Sequence, residues 1–176
     1  MRRALILALA VTCLAMVSCG TDETIMETPG CSDDLVLVAQ SVPDAEFVPC
    51  FEELPGGWEV SQLSVGHNGM TTKLDSDRAG SNAATFTYGH ECDVSGVGRL
   101  PSQQEGVQIH EEIERLVGGL ESHRFYVFEG GCVTVHFDFD DFGDITYAES
   151  LLESMLLARR QDLNASLQQE DDAFEV

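Results

Sequence analysis

Apolar residues follow three different rhythms along this chain. The first is a continuous run from Ala4 to Val17, broken only by Thr12, with Arg2 and Arg3 before it and Ser18, Cys19 and Gly20 after it. The second is alternation with a period of two, the mark of strands with one buried face. Trp58, Val60, Leu63 and Val65 lie in one predicted strand, interrupted at Gly66-His67-Asn68-Gly69, where Asn68-Gly69 is the expected two-residue hairpin turn. Met70 to Leu74 and Ala84 to Tyr88 are further strand candidates. The strongest signal is Arg124 to Glu129 and Cys132 to Phe139, aromatic and β-branched runs on either side of Gly130-Gly131, which predict a hairpin. In its second arm Val133, Val135, Phe137 and Phe139 point one way, so Thr134, His136 and Asp138 point the other. The third rhythm is helical: Ala148, Leu151, Leu152, Met155 and Leu156 form a stripe, with Arg159-Arg160 beyond it where positive charge suits a helix C-terminus.

Two stretches stay open. Ile109, Ile113, Leu116, Val117 and Leu120 keep helical spacing, while Val107, Ile109, Ile113 and Val117 share strand parity, so 107–120 reads as helix or strand until Gly118-Gly119 stops it. Leu35 to Ala39 is one short helix or strand in a lobe punctuated by Pro43, Pro49, Pro55 and Gly56-Gly57. Residues 93–106 lack periodicity and read as a loop. No internal repeat is apparent. Short strands followed by a single late helix predict an α+β domain: a mainly antiparallel sheet with a C-terminal helix packed on it.

The apolar N-terminal run has the anatomy of an export signal. As a helix it spans about 21 Å, short of the roughly 30 Å hydrocarbon core, so a permanent membrane span is not expected. It ends in Val17-Ser18-Cys19, which resembles the lipobox of bacterial lipoproteins, with Met16 where that motif has Leu, Val or Ile. The resemblance implies that Cys19 is diacylated and becomes the new N-terminus, holding the protein at the outer face of the cell membrane. Such an anchor is stable because each buried methylene contributes about 0.8 kcal/mol and two or more chains act together. The expected organisation is a signal peptide over 1–18, a flexible tether over 19–30, a single domain over 31–163 and an acidic tail over 164–176.

Removing Arg2 and Arg3 with the signal leaves seven basic residues against 31 acidic ones, a formal charge of −24, with Lys73 the only lysine. That charge repels phosphate backbones and anionic lipid, and it excludes nucleic-acid binding. It is otherwise the solvated surface of a protein suited to a salty or dilute exterior. Cys13 leaves with the signal and Cys19 takes lipid, so Cys31, Cys50, Cys92 and Cys132 remain. In an exported chain an even remainder predicts two disulfides. The expected pairs are Cys31 with Cys50, neighbours in the N-terminal lobe, and Cys92 with Cys132, tying two halves of the sheet. A zinc site is the rival, but C-x-x-C is missing.

Phe47-Val48-Pro49-Cys50, Gly57-Trp58, Leu74-Asp75-Ser76-Asp77-Arg78-Ala79-Gly80 and Gly131-Cys132-Val133-Thr134 together resemble a group of exported or membrane-anchored actinobacterial proteins of uncharacterised activity. The likeness runs from about Phe47 to Arg160. It implies an extracytoplasmic location and lends no catalytic residue.

Asp138 to Glu149 is the most specific-looking constellation. Read as a twelve-residue calcium loop, it puts Asp138, Asp140, Asp144 and Glu149 at positions 1, 3, 7 and 12, Gly143 at the turn and Ile145 at the apolar position. Phe142 stands where an oxygen ligand belongs, and a strand precedes the loop. The competing reading is an acidic strand-to-helix loop in which Asp144 or Thr146 caps the helix. His110-Glu111-Glu112-Ile113-Glu114 starts like a zinc-protease helix, but Glu114 replaces the second histidine. Trp58 reads as a core anchor, with sugar stacking as the alternative. Asp75, Asp77 and Arg78 suit a turn held by local carboxylate bonds. The function expected is a lipid-anchored, extracytoplasmic, non-catalytic binding or envelope-associated module without cofactor, its protein or cell-wall partner unspecified. A calcium-binding domain and an extracytoplasmic hydrolase are the alternatives.

Overall fold

Alternating burial builds a sheet, and a second layer closes over its apolar face. The computed structural model describes residues 30–31, 35–140 and 144–165. The expected signal peptide, Cys19 and residues 20–29 of the expected tether therefore lie outside the described residues, as do 166–176 of the expected acidic tail. In chain order the elements are α1 (Leu35–Ser41), β1 (Phe47–Phe51), β2 (Trp58–Gly66), β3 (Gly69–Ser76), β4 (Gly80–Gly89) and β5 (Gly98–Leu100). Then come β6 (Gln108–Arg115), β7 (Leu120–Phe128), β8 (Gly131–Phe139), α2 (Ile145–Ser154) and β9 (Met155–Arg159).

Seven strands form an antiparallel sheet in the order β2-β3-β4-β8-β7-β6-β5. Its inner face carries Leu63, Met70, Leu74, Phe86, Val133, Val135, Phe137 and Phe139, all buried. Over that face lie α1, α2 and a two-stranded ribbon of β1 and β9. Phe47 meets Phe128 edge-on at 5.5 Å and Phe51 meets Phe86 at 5.0 Å, so the ribbon's aromatic side chains seat it on the sheet. The α+β class, the antiparallel sheet and the C-terminal helix packed on it are as the periodicities predict.

Four local expectations are corrected. The helical stripe predicted through Leu156 stops at Ser154; Met155 turns to extended backbone (φ −82°, ψ 127°) and residues 155–159 pair with β1. The reason is non-local: every residue of β1 is buried, so its backbone groups need a partner strand, and β9 supplies one. Arg159-Arg160 accordingly do not flank the end of α2. Arg160 instead donates to the carbonyls of Ala39, Val42 and Ala45 at 2.9, 2.7 and 2.7 Å, serving the C-terminus of α1.

The β2–β3 turn is His67-Asn68, one residue earlier than predicted, because Gly66 pairs with Gly69. Gly69 has φ +128°, and a Cβ there would run into the backbone carbonyl of Tyr88. Lastly, the loop 93–106 contains the short strand β5. The two open stretches also settle: 35–41 is helix, and 107–120 is strand β6 followed by a turn into β7.

Candidate functional site

The described cysteines form two disulfides, Cys31–Cys50 and Cys92–Cys132, with Cα atoms 5.1 and 6.0 Å apart. The first ties the incoming chain to β1, where Gly30 also bridges Phe51. The second fastens the segment after β4 to the start of β8, and the Thr134 hydroxyl lies 3.1 Å from Cys92 Sγ.

The acids of the 138–149 stretch are engaged separately. Asp138 stands on the outer face of β8 and takes a hydrogen bond from Arg115 Nη2 at 2.8 Å. Asp144 caps α2, accepting from the Thr146 amide at 2.9 Å. Glu149, one turn into α2, pairs with Arg124 of β7. Asp140 lies near Gly80, and 141–143 are outside the described residues. Among the described residues no group of three or more His, Cys, Asp or Glu is placed to hold a metal ion.

The Arg124 arrangement is the feature that sequence reading missed. Its guanidinium, with a side chain only 11% exposed, bonds Glu111 of β6 through Nε at 2.9 Å and Glu149 of α2 through Nη1 at 2.8 Å. Burial works against its charge, yet the hydrogen bonds it donates to Glu149 and Glu111 outweigh burial and raise its pKa above the ordinary guanidinium value. Tyr126, two residues along the same face, has its phenol pKa raised, chiefly by burial. The triad clamps α2 to the sheet. Its only sequence trace is an arginine at an inward-facing strand position.

An open polar cleft of about 470 Å³ lies at one corner of the sheet, lined by Glu59, Asp75, Ser76, Asp77 and Ser81 together with Trp58. Asp75 Oδ1 accepts from the Asn82 amide at 2.7 Å, the local carboxylate bond that the turn reading anticipates. Ser76 Oγ accepts from the amides of Arg78 and Ala79, both at 3.2 Å, and shares a 2.9 Å bond with the Tyr147 hydroxyl. Arg78 lies over the Tyr147 ring at 5.2 Å. Trp58 is buried and stacked on Tyr147 at 5.0 Å, with Phe139 at 6.0 Å, so its indole acts as a core anchor and offers no free face to a sugar ring. With three carboxylates and two hydroxyls, the cleft is rich in acceptors. A ligand suited to it would bring donors, such as ammonium groups or the hydroxyls of a polyol.

Three of the five histidines share the outer face of the sheet: His110 on β6, His123 on β7 and His136 on β8. His123 and His136 are register partners with stacked rings, and His110 Nδ1 is buried with no hydrogen-bond partner among the described residues. His67 lies in the β2–β3 turn and His90 just after β4, both exposed.

The fold and the sulfur pairs thus define an α+β domain on an antiparallel sheet, closed by two disulfides. Compared with known families, curated proteins and solved structures, the chain matches none of them.

Proposed function

We propose that this protein is held at the outer face of the cell membrane by lipid on Cys19 and works there as a non-catalytic binding or envelope-associated module. The observation that carries the reading is the sulfur bookkeeping. Cys31–Cys50 and Cys92–Cys132 account for every cysteine after residue 19, which suits folding in an oxidising compartment and leaves Cys19 for the acyl group. The export-type run before Cys19 supports the same address, as does the resemblance to exported actinobacterial proteins. The acceptor-lined cleft at Asp75 and Asp77 is the surface offered to a ligand.

Detergent-phase partitioning of the native protein, with mass spectrometry of its N-terminal peptide, tests the anchor. A diacylated Cys19 and loss of partitioning in Cys19→Ser are expected. An intact Met1 or an unmodified Cys19 overturns it. Thermal shifts against polyols and polyamines test the cleft: a saturable rise lost in Asp77→Asn supports binding there, and no shift with any of them removes that assignment.

A further inference from the structure

We propose that the stacked pair His123–His136 is a proton-operated element. While both imidazoles are neutral it holds the outer face of the β7–β8 hairpin closed, and it loosens that face as the surroundings acidify. The inference does not depend on how the protein is anchored or what occupies the cleft.

The two rings sit face to face, centroids 4.4 Å apart and planes within 12°. Neutral rings pack well in that arrangement. Two imidazolium ions would set like charges directly on one another, and Coulomb repulsion grows as separation shrinks. The pair must therefore take its protons in two coupled steps, the second at lower pH than the first. A carboxylate stands beside the pair, since His123 Nε2 lies 3.4 Å from Glu114 Oε1. His136 is harder to protonate: burial first, and neighbouring His123 second, hold its pKa below the ordinary histidine value.

The acidic neighbours from the adjoining strands pull the His136 value up, and burial with His123 outweighs them. β8 brings Asp138, β7 brings Glu121, and β6 brings Glu114 together with Glu112, the register partner of His123. On the other side His136 faces Thr85 of β4, with Lys73 of β3 one strand further. Arg115 bonds Asp138 at 2.8 Å and reaches Glu121 at 3.5 Å, answering much of their charge. Glu114 is thus the carboxylate that attends the pair directly.

Position makes the pair consequential. β8 and β7 are the fourth and fifth of seven strands, so strain at their ladder reaches both halves of the sheet. Phe125 continues the stack 6.2 Å from His123, and the row shares its face with the Cys92–Cys132 disulfide. Charging the rings alters the polarity of that half-buried strip at once.

The test is an NMR titration of the imidazole resonances in the mature, oxidised protein, with amide exchange at the same ladder. Wild type should show two steps separated by about one pH unit or more. In His123→Gln, His136 should titrate in a single step at higher pH than in wild type. Glu114→Gln should move the first step of the pair to lower pH. Amides of 122–124 and 135–137 should exchange about threefold faster at pH 5 than at pH 7 after correction for intrinsic rates, a ratio lost in His123→Gln. Independent titration of the two imidazoles, or protection that is the same at both pH values in wild type, overturns the proposal even if a variant does not fold.

Discussion

Single residues settle several local choices in this fold, and three of them lead to direct predictions. Tyr88 donates to the Phe47 carbonyl at 3.0 Å, and burial, opposed by Arg160, pushes its phenol up to about 12. The folded state therefore keeps this proton after the unfolded chain loses it near pH 10, so stability present below about pH 10 falls as pH rises toward about 12. A shift of that size corresponds to about 2–3 kcal/mol. Urea unfolding between those pH values should show the decline, and Tyr88→Phe should flatten it.

For His136 the sign runs the other way. Its depressed pKa means the unfolded chain binds the proton more readily, so stability is full above about pH 7 and declines as pH falls through the ordinary histidine range. Melting temperatures at descending pH, compared with His136→Gln, check that slope. Gly69→Ala should cost about 2–3 kcal/mol, since it demands a positive φ and places a methyl group against the Tyr88 carbonyl. Denaturant midpoints measure it.

Elements differ in how openly the sequence announces them. The β7–β8 hairpin was legible because strand alternation is local: Val133, Val135, Phe137 and Phe139 read inward in one pass, and all four are buried. β9 was hidden, because Met155 and Leu156 fit a helical stripe equally well. What converts them to strand is β1, more than a hundred residues earlier, whose register runs Phe47↔Arg159 to Phe51↔Met155. The stretch 107–120 satisfied both periods, and pairing with β7 decided it.

The clamp on α2 is a non-local feature of the same kind. Glu111, Arg124 and Glu149 come from three elements, and nothing in their spacing shows that they meet. Arg124→Ala should cost roughly 2–4 kcal/mol, because two partly buried carboxylates lose their counter-charge. Urea unfolding followed by far-UV dichroism is the measurement, and the loss should exceed that of Asp144→Ala at the helix cap, about 1 kcal/mol. Millimolar calcium should leave the melting temperature unchanged, as Asp144 is committed to the cap and Glu149 to Arg124. A saturable rise would instead restore the calcium reading of Asp138, Asp140, Asp144 and Glu149.

At the scale of the whole molecule, two layers and two sulfur bridges make one core. The bridges span 19 and 40 residues, and the chain-entropy relation assigns each about 3–4 kcal/mol. Replacing Cys92 and Cys132 together by serine should cost about that much and fray the start of β8, read by denaturation with and without reductant.

Composition and local pattern determined what depends on near neighbours: the strand-rich α+β class, the central hairpin, the late helix with Asp144 or Thr146 as its cap, and a strongly acidic composition. Tertiary structure alone decided what depends on meeting partners far away in the chain: β9 against β1, Arg160 beneath α1, Arg124 between two carboxylates, and His123 upon His136. Periodicity records only which side of a residue is buried. Hydrogen bonds and charge pairs between distant segments arise only once the chain has closed on itself, so their energies leave no regular spacing to read.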